Sequence, residues 1–265
     1  MQVRPLSKTL HSQKVLVHKR DYSFIKGQLL VELCAFEIQP ATQNMPIFFA
    51  NNKGKVRAYG VMGVEPDNNL FLNSNGEWRI RFMPASLQVL PFRTGKTQDG
   101  ENIVLVMEEL NFLSDLNVEG EAVFNEDGSH SDTLEKYIQL LYKIEHNIPI
   151  IENACLKLLD LGLLEPFEFK VNKFGKRIDG PSGLLRIKLK EFNELEPEQF
   201  LELRRTNDPG SLQALDLVYA HLFSMSCMEQ LALAMEMNEK ASSSLKALGS
   251  QIFFENEELD FTGKE

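Results

Sequence analysis

The sequence is poor in the residue patterns that mark metal, disulfide or nucleotide chemistry. Its three cysteines, Cys34, Cys155 and Cys227, lie far apart, and there is no Cys-x-x-Cys pair or Cys/His ligand ladder. This disfavours both structural zinc and a disulfide framework. No Gly-x-Gly-x-x-Gly or P-loop stretch is present, so no nucleotide cofactor is indicated, and the expectation is no cofactor and no metal. The longest useful apolar run, Leu217 to Met228, includes His221 and is twelve residues long, short of the roughly twenty that cross a bilayer. The first residues, MQVRPLSKTLHSQKVLVHKR, are basic but lack the apolar core of a signal peptide. These absences predict a protein without a transmembrane segment, located in a reducing cytoplasm where an unpaired thiol behaves as a small hydrophobe.

What is present is ordinary globular composition. Of 265 residues, 43% are hydrophobic and 25% charged, and a chain of this length can bury a sizeable core. The net charge of −10 opposes general binding of duplex nucleic acid, and none is expected. Charge is unevenly spread. Residues 99 to 135 hold eleven acids and no Lys or Arg, whereas Lys170 to Lys190 holds seven basic residues and the single acid Asp179. Both stretches read first as solvated faces and strand edges.

From Lys14 to about Glu109 the pattern is that of strands broken by turns. The turns are expected at Asn52-Lys53-Gly54, Pro66 to Asn69 and Asn73 to Gly76. Asn75-Gly76 is a strong hairpin signal because both residues accept positive φ. After it, Trp78, Ile80 and Phe82 alternate with Arg79, Arg81 and Met83, as in a strand with one apolar face. Helical spacing takes over near Asp132, which with Glu135 resembles a capping pair. Pro149 is expected to split this region into two helices, the second ending at Gly162. A hairpin of Phe167 to Val171 with Leu184 to Leu189 should follow, then a short helix from Pro197. A last helix is expected from Ser211 to about Lys240, with Leu215, Tyr219, Leu222, Ser226 and Leu233 on one face. The predicted class is α+β. A mostly antiparallel N-terminal sheet packs with C-terminal helices and a β-hairpin around one shared core. Residues 1–250 are read as a single domain, with a β-rich lobe at about 14–110, a helix-rich lobe at about 131–240, and an acidic tail at 251–265.

Five ordered blocks carry a family resemblance: EIQPATQNMPIFF, YGVMGVEPDNNLFLNSNGEWRIRFMPASLQVLPF, GEAVFNEDG, GLLEPFEFKVNKFGKRIDGPSGL and LQALDLVYAHLFSM. Pro46-Ile47, Asn69-Leu70-Phe71, Gly76-Glu77-Trp78, Pro84-Ala85 and Tyr219-Ala220-His221-Leu222 are the matching motif residues. The chain resembles the bacterial SapC family from about Val15 to Met228. It departs from the family pattern at Met45, where Tyr is usual, and at Gln88-Val89-Leu90, where an Arg-Arg-Tyr-like triplet is usual. The arginines of that triplet are therefore missing here. The resemblance implies no settled activity. Relatives encoded beside TonB-dependent outer-membrane receptors and tryptophan-halogenase-like flavoproteins link the family to nutrient uptake or its regulation.

Candidate chemistry is sparse. His130-Ser131-Asp132 has the His-x-Asp spacing of a facial iron triad, with His146 or His221 as a distal ligand, but Asp132 already has a capping role. Ser224 lies one turn from His221, yet no nucleophile elbow accompanies them. Lys170, Lys173, Lys176 and Arg177 on a hairpin after two helices would mimic a winged helix, but the preceding segment Ile150 to Leu161 carries only Lys157 as a base. The favoured function is a SapC-like cytoplasmic accessory protein that binds a small ligand or a protein partner. The alternative is an enzyme with a pocket near Trp78 and His221, and the third reading is a winged-helix nucleic-acid binder. The candidate ligand-binding residues are Trp78, Arg81, Tyr219, His221 and Ser224.

Overall fold

The computed structural model describes residues 3–206 and 211–237. In chain order the N-terminal part forms β1 (Val3–Pro5), α1 (Lys8–His11), β2 (Lys14–Val17), β3 (Leu30–Glu32), α2 (Ile38–Ala41), β4 (Ile47–Asn52) and β5 (Lys55–Val61). Next come α3 (Ala85–Gln88), β6 (Phe92–Lys96), β7 (Asn102–Met107), β8 (Leu113–Asp115) and β9 (Gly120–Ala122). The C-terminal part is α4 (Asp132–Asp160), β10 (Leu164–Phe167), β11 (Lys170–Lys173), β12 (Lys176–Asp179), β13 (Leu184–Ile187), α5 (Leu189–Asn193), α6 (Pro197–Arg204) and α7 (Ala214–Ser224). Residues 227–237 are helical again. The fold is α+β, and every strand pair is antiparallel.

The central sheet has the order β10-β13-β4-β5-β3. Its heart is the β4–β5 hairpin, closed at Lys53 and Gly54, both with positive φ, as expected from Asn52-Lys53-Gly54. Ile47, Phe48 and Phe49 are consecutive and all fully buried. A strand whose successive side chains point to opposite faces can do this only when both faces are covered. Helices α4 and α7 both pack on this sheet. Gly60 of β5 makes room for Met45, because a Cβ there would come within 2.1 Å of the Met45 sulfur. A single cluster of buried residues joins Leu16, Phe48 and Phe92 of the strands to Leu141, Leu158, Leu217 and Met235 of the helical part.

Local signals hold where a turn or cap decides the outcome. Gly76 has φ +75 and its carbonyl accepts from Tyr22 N–H at 2.7 Å. A Cβ there would lie 1.9 Å from Asp21 Oδ1. Pro197 opens α6 at its first turn, where its missing N–H costs nothing.

Four sequence expectations are corrected. Trp78 to Met83 is not a strand; its one ladder contact is the isolated bridge from Leu72 to Trp78. The indole Nε1 donates back to the Phe82 carbonyl at 2.8 Å, so the segment curls around its own tryptophan. Pro149 does not split the helical region, and α4 runs unbroken for 29 residues. Burial of Leu141, Ile151, Ala154 and Leu158 along the helix outweighs the one hydrogen bond that a proline removes. Its N-cap is Ser131, whose Oγ accepts from Leu134 N–H at 3.1 Å, and Asp132 sits in the first turn. The third correction concerns the hairpin. Leu164–Phe167 pairs with Leu184–Ile187, and the basic loop between them folds into its own hairpin, β11–β12. The final helix is interrupted at residues 225–226, and its buried stripe is Leu217, His221 and Ser224, whereas Tyr219 and Leu233 are exposed. The expected end near Lys240 and the acidic tail lie outside the described residues.

Trp78 stacks on Phe71, with ring centroids 5.4 Å apart and 16° between planes, and is half-buried. As the sole tryptophan it should give native fluorescence shifted to the blue of free tryptophan in water, moving red on unfolding. A native emission maximum at the position of free tryptophan would contradict this packing.

Candidate functional site

The site is built on a tie between α7 and β4. His221 Nδ1 lies 2.7 Å from the Ile47 carbonyl oxygen. A carbonyl only accepts, so Nδ1 carries the proton and donates it. The N–H of the same residue, Ile47, donates to Ser224 Oγ at 2.9 Å, and that hydroxyl donates to the His221 carbonyl at 2.8 Å. One residue of a central strand thus has both backbone groups satisfied by two side chains one helical turn apart. The Phe48 ring meets the imidazole edge to face at 5.2 Å.

These bonds decide the protonation state. Burial holds the His221 pKa below the ordinary histidine value; the bond to Ile47 works the other way, and the charge of Arg186 adds to the lowering. The ring is therefore neutral near pH 7, with a lone pair on Nε2. Among the described residues, the fully buried side-chain nitrogen or oxygen without a partner is His11 Nε2. No hydrogen bond is formed by His221 Nε2 among the described residues, and the residue lines a cavity.

That cavity holds about 450 Å³. Its apolar wall includes Phe48, Phe167, Leu222 and Met225, with Phe48 and Phe167 stacked at 4.9 Å. Its rim is charged: Arg186, Lys188 and Lys190 against Glu165 and Glu191. Arg186 Nε is bonded to Glu165 at 2.7 Å and its guanidinium lies 5.2 Å from the Phe167 ring centre. The Arg186 charge is thereby half-spent, whereas no ion pair is formed by Lys188 or Lys190 among the described residues.

The five residues singled out in the sequence fall in three places. His221 lines the cavity, and Ser224 lies behind it as part of the backbone tie. Tyr219 is on the outer face of α7, 40% exposed, between the rings of Phe192 and Phe223. Trp78 and Arg81 belong to the curled segment after the Gly76 turn, Arg81 being exposed, and neither lines the His221 cavity. Sequence reasoning passed over Phe48, Arg186, Lys188 and Lys190, because they come from β4, β13 and the α5 start, which meet only in the folded chain. It also passed over Glu37. This buried carboxylate accepts from Cys34 N–H at 3.0 Å with Oε1 and from Ala85 N–H at 2.8 Å with Oε2. Glu37 opens the first motif block and Ala85 belongs to the second, a signal that could have flagged the pair.

Metal and nucleophilic chemistry find little support in the geometry. Among the described residues no group of three or more His, Cys, Asp or Glu could hold a metal ion. His130 Nδ1 is instead 2.7 Å from Glu135. All three cysteines are buried, and burial pushes the Cys34 and Cys155 thiols up to about 12, which keeps them protonated and unreactive. No helix among the described residues is long and apolar enough to cross a membrane.

Comparison with curated proteins and with solved structures returns no match. The SapC family pattern matches residues 6–231, a span that contains β2 through α7, the Glu37 link and the entire His221 cavity. The chain belongs to the SapC family.

Proposed function

We propose that this SapC-family protein is a cytoplasmic accessory factor that binds a small ligand in the His221 cavity, in connection with nutrient uptake or its regulation. The observation that carries the reading is the state of His221: Nδ1–H is locked on a backbone carbonyl, which leaves Nε2 as the neutral acceptor of a residue that lines an apolar-walled recess. Such a group selects a ligand that brings a hydrogen-bond donor. Lys188 and Lys190 on the rim, which form no ion pair among the described residues, select one that also carries negative charge. An apolar body between the two ends matches Phe48, Phe167, Leu222 and Met225. A neutral imidazole in a recess is also what a general base needs, which keeps the enzyme reading as the alternative. The winged-helix reading has lost its helix pair, since α4 is continuous through Pro149.

The test uses 4-hydroxyphenylacetate, which carries donor, apolar body and charge, and 4-methylphenylacetate, which lacks the donor. Isothermal titration calorimetry should show the hydroxyl compound binding at least about tenfold more tightly, since leaving His221 Nε2 desolvated without a partner costs about 1–3 kcal/mol. His221→Phe should erase the preference and Lys188→Glu with Lys190→Glu should weaken both compounds. Equal binding of the two compounds, or no binding of either, overturns the reading. Chemical conversion of the bound compound, followed by mass spectrometry, would establish the enzyme alternative.

A further inference from the structure

We propose that a second recess, beneath the middle of α4, binds a free aliphatic monoanion such as a medium-chain carboxylate, tail inward and head group at Arg93. This recess holds about 430 Å³ and shares no lining residue with the His221 cavity. Leu33, Val89, Phe92, Leu141, Ile148 and Ile151 form its walls, drawn from the β3 end, the α3 end, β6 and α4. These walls are mainly aliphatic, and none of the described polar atoms in them is buried without a partner. Cys34, also in the wall, is a neutral thiol, its pKa pushed up to about 12 by burial and by the charges of Glu37 and Glu32, and it packs as a small hydrophobe.

Two arginines line the recess, and their states differ. Arg57 is held by Glu32 at 2.6 Å and by Glu152, so its charge is already matched. Arg93 is exposed and has no ion pair among the described residues. An unmatched guanidinium beside an apolar recess is complementary to a molecule with one negative head and a hydrocarbon tail. Phe24, 43% exposed, also lines the recess and adds apolar surface for such a tail.

The experiment is calorimetry at neutral pH with hexanoate, octanoate, decanoate and the uncharged decanol. Each further buried methylene should tighten binding by about fourfold until the recess is full. Arg93→Ala, an exposed position, should weaken decanoate by about tenfold and leave decanol unchanged. Ile148→Trp, or Ser86→Phe if the first variant does not fold, should abolish binding of both while leaving 4-hydroxyphenylacetate binding unchanged. Affinity independent of chain length, decanoate binding insensitive to Arg93→Ala, or decanoate binding lost in His221→Phe would overturn the proposal. So would association with phosphatidylglycerol vesicles in the absence of any binding of free decanoate, which would assign the surface to a membrane instead.

Discussion

Replacing Glu37 with alanine should lower the free energy of unfolding by about 2–6 kcal/mol, since two buried N–H donors, each worth about 1–3 kcal/mol, lose their acceptor together. Those donors are Cys34 N–H and Ala85 N–H, and Glu37 itself is only 3% exposed, so water cannot replace the carboxylate without opening the structure. The carboxylate fastens the turn that enters α2 to the start of α3, two segments 48 residues apart. Urea unfolding followed by circular dichroism would show the midpoint falling with little change in slope. An unfolding free energy within about 0.5 kcal/mol of the parent protein's would mean that Glu37 is dispensable.

The same residue has a pH signature. Burial pushes its pKa up to about 7, against the lowering by the bonds from Ala85 and Cys34 and by Lys143. A carboxyl whose folded pKa is raised holds more protons in the folded than in the unfolded chain between the two values. Its contribution to stability is therefore present at low pH and is lost as pH rises from about 4.5 to about 7. His221 acts in the opposite sense. Its folded pKa is lowered, so the unfolded chain takes up more protons, and stability is lost as pH falls below the unfolded histidine value of about 6.5. Glu37→Gln keeps one acceptor and removes the titration, so the stability of that variant should rise with pH where the parent protein's is flatter or falls. Parallel pH profiles for the two proteins would remove Glu37 from this role.

His221→Ala should cost about 1–3 kcal/mol for the orphaned Ile47 carbonyl, with a further loss from the space left beside Phe48. The loss should appear as a lower melting temperature, and Ser224→Ala, which orphans the Ile47 N–H instead, should lower it too. Because both side chains serve one strand residue, the double variant should be less damaging than the sum of the single ones. An unchanged melting temperature, together with loss of turnover but not of ligand binding, would make His221 a purely functional residue and favour the enzyme reading.

Much of the fold was legible because it was decided locally. Lys53-Gly54 and Gly76 sit where the backbone needs positive φ, Pro197 where a helix begins without using its N–H, and each fixes its neighbourhood whatever lies beyond. Ser131 and Asp132 were harder to tell apart, since adjacent polar residues are both competent caps and the packing of Leu134 chooses between them. Pro149 misled for the opposite reason. Its local penalty is real, but the buried face of α4 against β5 and α7 is long enough to carry the helix through it.

The site was legible only in part. His221 could be picked out because a titratable residue in an apolar helical run is conspicuous, but its buried stripe, with Leu217 and Ser224, is not the face that the spacing suggested. Tyr219 shares the same motif but points outward, since successive residues on a helix are separated by about 100° and only one side of α7 meets β4. The apolar alternation that suggested a strand at Trp78 was satisfied instead by an indole stacked on Phe71 and hydrogen-bonded to its own loop. Composition and spacing by themselves determined the class of fold, the turns and the lack of any metal-binding or nucleotide-binding pattern, and the ordered motif blocks carried the family resemblance, because each is written in neighbouring residues. Only the tertiary structure decided which side of the last helix faces inward, that Glu37 reaches Ala85, and that Phe48, Arg186 and Lys190 surround His221. Those contacts join segments dozens to more than a hundred residues apart, and whether each forms depends on the burial energy of the whole core, which no local window contains.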